Sequence, residues 1–299
     1  MKLGIIYLLT GTAHASRLVV SVHSLRKFYD GPVTIFYTRA DSHAVARRLA
    51  DDRRLDVEIA EFRESEGGIN SSYLTKPRLM LTASPYEATV FLDADTLIAA
   101  DIEPLLAATR NHSLVVTEFC GWSSLHPAVE RRLRKWMPLI HTPGDSHGMR
   151  QMLTVNLEFG VPAINCGVMG FHRDTPFLHE WPVLAELGKE TLLPDEIAMQ
   201  LLLVKHSHRV LSSRFNYSLP FGGPPPYPVS IWHFCASLHL SHDLNRGLWL
   251  PAYEECVRQK LAGIDEWSRS ETLDAEPPPL GIPGVQGPSH GRADDFLGG

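Results

Sequence analysis

The sequence is poor in the features that would place it in several large protein classes. Its four cysteines, Cys120, Cys166, Cys235 and Cys256, stand far apart with no Cys-x-x-Cys spacing. That excludes a zinc ribbon or a disulfide-stapled scaffold and fits a reducing compartment. No apolar run approaches the roughly 18 residues of a membrane span, so no transmembrane segment is expected. Basic residues are in deficit, 28 Lys and Arg against 34 Asp and Glu, for a formal charge of -6. A protein that neutralises a nucleic-acid backbone needs a concentrated basic stripe, and none is present. The local run Arg131-Arg132-Leu133-Arg134-Lys135 reads as the solvated face of a helix. Internal repeats are absent too.

What remains is a globular composition, 44% hydrophobic and 21% charged over 299 residues, enough for one large α/β domain or two small ones. Lys2, the apolar stretch Leu3 to Leu9 and Ala13-His14-Ala15 loosely imitate a short signal peptide. Gly4 interrupts that stretch, its length is that of a strand, and it leads directly into an amphipathic pattern. It is therefore expected as a first β-strand, and the protein as cytoplasmic.

The pattern then alternates. A helix is expected over Ala15 to Tyr29, a strand over Val33 to Tyr37, a helix capped by Asp41, and a strand from Val57. Gly67-Gly68 marks a loop. A helix over Tyr73 to Ala83 places Pro77 in its first turn. Further along come a short helix from Ile102, a strand at Leu114-Val115-Val116, and a helix over Pro127 to Leu139. An irregular stretch from Thr142 to Gly148 follows, with His141 and His147 expected at the surface. A strand over Ala163 to Phe171, helices over Pro176 to Leu187 and Pro194 to Val204, a strand at Val210-Leu211, a strand-like run at Ile231 to Phe234 and a helix over Pro251 to Ala262 complete the domain. Such alternation means a mostly parallel sheet with helices on both faces and ligands at the carboxyl ends of its strands. Residues 1–265 are assigned to this domain. Residues 266–299, rich in Pro and Gly without apolar periodicity, are expected to be a disordered tail.

The chemistry concentrates at Thr89-Val90-Phe91-Leu92-Asp93-Ala94-Asp95-Thr96-Leu97-Ile98. An apolar, β-branched run ends there in two carboxylates one residue apart. In an extended segment side chains two apart share a side, so Asp93 and Asp95 can converge on one hard cation. Acidic residues also close strand ends as turn formers, so the pair alone decides nothing. Asn165 and Gly167 interrupt another apolar strand. A satisfied core amide would explain the first, a cleft-facing ligand group and a close backbone approach would explain both. Asp195-Glu196 open a helix and could be no more than dipole caps. His233, among aromatics, could be a core histidine.

In combination these pieces resemble the family-eight glycosyltransferases, the retaining GT-A group that includes glycogenin and the bacterial lipopolysaccharide galactosyltransferases. Five motifs fall in the family's order: Tyr73-Leu74-Thr75-Lys76, Phe91 to Leu97, Asn165-Cys166-Gly167-Val168-Met169, Asp195-Glu196 and Trp232-His233-Phe234. The resemblance runs from residue 1 to about 240. It implies a GT-A fold, Rossmann-like and mostly parallel, and transfer of a hexose from a UDP-sugar to an acceptor that the sequence does not identify. It also implies Mn²⁺ or Mg²⁺ held by Asp93, Asp95 and His233. The donor would be contacted by Leu9, Thr10, Gly11 and His14 in the first strand-to-helix turn, by Lys76, by Asp93-Ala94-Asp95, and by Asn165, Cys166 and Gly167. Asp195 and Glu196 would stand at the reacting sugar.

The sequence departs from the family in four places. His14 stands where a base-stacking tyrosine is usual, and the turn at Gly11 lacks its common aspartate. After His233 the usual glycine and diphosphate-binding lysine give way to Cys235-Ala236-Ser237-Leu238-His239, where His239 is the candidate replacement. Glu196 replaces a common glutamine. A regulatory protein on a decayed GT-A scaffold is the alternative these departures keep open. A nucleotidyltransferase sharing the clamp normally carries a Gly-rich phosphate loop, and Gly11 stands alone.

Overall fold

The computed structural model describes residues 1–63, 71–141, 148–235 and 242–266. In chain order these form β1 (Leu3–Leu9), α1 (Ala15–Arg26), β2 (Val33–Tyr37), α2 (Ala40–Asp51), β3 (Glu58–Glu61), α3 (Ser71–Thr82), β4 (Ala88–Leu92) and β5 (Thr96–Ile98). After these come α4 (Glu103–Asn111), β6 (Leu114–Ser123), α5 (Pro127–Arg134), α6 (Met149–Phe159), β7 (Pro162–His172), α7 (Phe177–Leu187) and α8 (Pro194–Leu202). The described residues end with β8 (Arg209–Leu211), the short α9 (Leu219–Gly222), β9 (Ile231–His233), α10 (His242–Arg258) and a 3₁₀ segment, Leu261–Glu266.

Seven strands make one sheet in the order β3-β2-β1-β4-β7-β6-β8, and β5 pairs with β9 in a separate ribbon. Every pairing in the large sheet is parallel except those of β7, which runs against both β4 and β6. The sheet is thus mostly parallel, as the alternation predicts, with one reversed strand that it does not. Because successive side chains point to opposite faces, one strand feeds two cores. Ile5, Tyr7, Val90 and Leu92 pack with α1, α2, α4 and α10. Ile6, Phe91 and Met169 pack on the other face with α3 and with α5 to α8. All five β4 residues are buried, which accounts for an apolar run without polar alternation.

Several expectations are corrected. Asp41 lies in the first turn of α2, whose cap is Arg39; the Ser42 hydroxyl bonds back to the Arg39 backbone. Pro77 is interior to α3, not in its first turn. Pro251 is interior to α10, which begins earlier and ends at Arg258; the carbonyl left without a proline N–H there belongs to exposed Gly247. Helix α5 ends at Arg134 and a 3₁₀ turn, Met137–His141, follows. Helix α6 has no counterpart in the sequence reading. It starts and stops between two glycines in the left-handed region, Gly148 and Gly160. Strand β6 outruns the expected three residues to Ser123. The expected loop at Gly67-Gly68, His147, His239 and the tail from 267 lie outside the described residues, as does the side chain of His141. No helix among the described residues is long and apolar enough to cross a membrane.

Candidate metal and donor site

The site lies where β4 ends. Asp93-Ala94-Asp95 is not extended, as the two-residue spacing suggests, but a turn between β4 and β5. The turn is held from several sides. The Asp93 N–H donates to Gly167 O (2.7 Å), the Thr96 hydroxyl to Asp93 O (2.9 Å), and the Phe234 N–H to Asp95 O (2.9 Å). Thr96 Oγ1 also shares a hydrogen bond with Ser21 on α1 (2.8 Å), and Ser21 with Tyr7 on β1 (3.1 Å), so a chain of buried hydroxyls ties the turn to the core. The β5–β9 ladder sets His233 opposite Thr96.

One ligand atom from each of Asp93, Asp95 and His233 lies within 4.8 Å of the others. His233 Nε2 is 3.3 Å from Asp95 Oδ1 and 3.6 Å from Asp93 Oδ2, with the imidazole 1% exposed. Burial pushes His233 down, but the Asp95 and Asp93 carboxylates outweigh it and raise its pKa. Burial pushes Asp95 up, and the His233 charge reverses this, holding it below the usual carboxylate range. Both shifts express one fact: two carboxylates and an imidazole in contact call for positive charge between them. Hard oxygens with one imidazole nitrogen suit Mn²⁺ or Mg²⁺, so the donor set fits the metal that the resemblance implies.

Around this centre stand the other expected residues. Lys76, 8% exposed, reaches from α3 to Asp93 Oδ1 (2.9 Å), with Cys166 Sγ at 3.7 Å and Asp195 Oδ2 at 3.8 Å. Burial pushes its ammonium down, but Asp93, Cys166 and Asp195 outweigh that and hold it well above its ordinary value. The Cys166 thiol donates to Asp195 Oδ2 (3.1 Å), while Asp195 Oδ1 is buried without a partner. Burial raises Asp195 to about 6 against the opposing pull of Lys76. Gly167 is small because of the protein itself. A Cβ there would meet His233 Cε1 at 2.1 Å and Asp93 Oδ2 at 2.8 Å. Leu9 is buried and Gly11 takes φ +80°, while His14 is exposed at the cap of α1 and adds to the positive field at Asp95.

Two residues of the site had escaped the sequence reading. Arg132 is not on a solvated face. It turns inward from α5, 13% exposed, to pair with Glu196 Oε1. The Asn165 amide donates to Glu196 Oε2 (2.9 Å) and its Oδ1 accepts from the Gly167 N–H (2.8 Å), so half-buried Asn165 is both satisfied and part of the site. Glu196 therefore spends its carboxylate on two side chains rather than on capping α8. Asn216, fully buried, sits between Thr117, Asn165 and His233. Its only sequence signal is an amide between the aromatics Phe215 and Tyr217.

A mostly parallel α/β sheet with a two-carboxylate turn at the end of its central strand is the architecture of the GT-A glycosyltransferases. Many solved structures match this fold, two among them as follows. Mouse xyloside xylosyltransferase 1 in its apo form matches 79% of this chain and 98% of its own at a TM-score of 0.54 and 13% identity. An active-site mutant of LgtC matches 86% and 95% at 0.57 and 15%. At these identities the likeness establishes the fold. No family model matches the sequence, and no curated protein sequence matches it.

Proposed function

We propose that this protein is a metal-dependent, retaining glycosyltransferase that moves a hexose from a UDP-sugar to an acceptor, acting in the cytoplasm. The reading is carried by the convergence of Asp93, Asp95 and His233 at the carboxyl end of β4, with Lys76, Asp195 and Glu196 beside them. Mn²⁺ or Mg²⁺ bound there would offset the charge that develops on the leaving diphosphate. Lys76 supplies a second positive charge, held in place by Asp93 and by the Phe91 ring 5.1 Å away. The unpartnered Asp195 Oδ1 is a buried acceptor suited to a sugar hydroxyl. Transfer breaks the bond from the anomeric carbon to the diphosphate and makes one to the acceptor oxygen, whose proton leaves with the diphosphate. Glu196, already bonded through both oxygens, is less nucleophilic than a free carboxylate, which favours electrostatic stabilisation of the oxocarbenium-like centre over covalent attack.

Donor hydrolysis tests the reading without an acceptor. The full chain with Mn²⁺ should release UDP slowly from one of a panel of UDP-sugars, and EDTA should abolish both release and UDP binding. Equal UDP affinity with and without EDTA would remove the metal clamp from the account, and no binding of any UDP-sugar would remove the function.

A further inference from the structure

A histidine ligates a metal through a ring nitrogen that carries no proton, so something must hold the proton on the other nitrogen. We infer that Asn216 is that positioning residue, fixing a proton on His233 Nδ1 so that Nε2, facing Asp93 and Asp95, is the nitrogen left for the metal. The inference rests on the metal reading above for its consequence but not for its geometry.

The assignment follows from groups that can only accept or only donate. Asn216 Nδ2 lies 3.1 Å from the Asn165 backbone carbonyl, which only accepts, so that atom is the amide nitrogen and its mate is the oxygen. Thr117 Oγ1, 2.9 Å away, takes the second amide proton, its own hydroxyl being donated to Val168 O at 3.1 Å. Asn216 Oδ1 then faces His233 Nδ1 at 2.8 Å, and an amide oxygen can only accept. Nδ1 is the donor, and Nε2, 3.3 Å from Asp95, points into the cluster.

The amide cannot turn to offer the opposite polarity. Flipping it would put two acceptors against each other at Asn165 O and leave a buried donor facing His233. Its backbone is anchored as well: the Asn216 N–H donates to Ser213 O (2.9 Å), and next to it the Tyr217 N–H donates to Ile231 O (3.0 Å) and Tyr217 O accepts from the His233 N–H (2.8 Å). Asn216 and His233 thus move as one piece.

Mn²⁺ titration of the full-length, metal-free protein, followed by electron paramagnetic resonance, tests this without any turnover. Asn216→Leu should weaken Mn²⁺ by about 10- to 100-fold. Asn216→Asp, whose Oδ1 still accepts from Nδ1–H and whose buried second oxygen keeps a proton to donate to Asn165 O, should keep the affinity within about threefold. Leucine and aspartate variants that both bind like the parent would overturn the inference. Nitrogen-15 NMR of the metal-free parent in alkaline buffer, where the imidazole is neutral, should show His233 protonated on Nδ1, and a proton on Nε2 would overturn it even if the leucine variant fails to fold. Should the parent bind no Mn²⁺ while the Nδ1 proton is seen, the metal reading falls and the role of Asn216 stands.

Discussion

Gly167 on β7 and His233 on β9 face each other so closely that a single added carbon at Gly167 would lie 2.1 Å from the imidazole. Gly167→Ala must therefore push His233, and Asp93 with it, out of place. The expected result is a loss of Mn²⁺ affinity of about tenfold or more with an overpacking cost of about 1–3 kcal/mol. Titration with Mn²⁺ beside a denaturation curve checks both. Unchanged affinity in a folded variant would mean that the cluster tolerates displacement and is no tuned metal site.

The Arg132–Glu196 pair is buried and shared between α5 and α8. Removing either partner strands the other, so Glu196→Gln and Arg132→Gln should each destabilise, and the double variant should lose less than the sum by about 1–3 kcal/mol. Glu196→Gln should also slow sugar transfer on the order of 100-fold while UDP affinity holds. A rate within about threefold of the parent would reduce the pair to a structural tie between two helices.

Asp195 predicts a pH dependence of stability. Its carboxyl is raised from 3.8 to about 6 by burial, among Lys76 and Tyr73 of α3, Cys166 of β7 and Glu196. A raised acid favours the fold while protonated. The benefit is complete below about pH 4 and is lost as pH climbs through about 6, amounting to about 3 kcal/mol. Asp195→Asn stays neutral, so the parent should lose stability against this variant between those values. Parallel curves from urea denaturation across that window would show that Lys76 compensates the charge fully.

Much of the fold was legible locally. Leu3–Leu9 and Val33–Tyr37 occupy the bounds that their apolar runs define, since buried parallel strands need no polar alternation and turn formers close them. The Asp93–Asp95 turn and His233 were legible as chemistry but not as geometry. Spacing implied an extended pair, whereas a hydrogen-bonded turn and a two-stranded ribbon bring the three together. Helix α6 hid behind an irregular, glycine-flanked entry, and the reversal of β7 was not legible because direction within a sheet is not written in any single strand.

By itself the sequence determined which segments are buried, where the carboxylates lie along the chain, and that the alternation of strands and helices puts a site at the carboxyl ends of the strands. These are properties of neighbours within a few residues, set by side-chain period and backbone preference. Only the tertiary structure decided that Arg132 leaves a basic run to meet Glu196, 64 residues away, and that Asn216 holds His233. It also decided that His233 and Asp93 fill the space a side chain at Gly167 would take. Each depends on which faces of distant elements meet, and burial in a shared, low-dielectric pocket is what turns an ordinary arginine or asparagine into a committed partner.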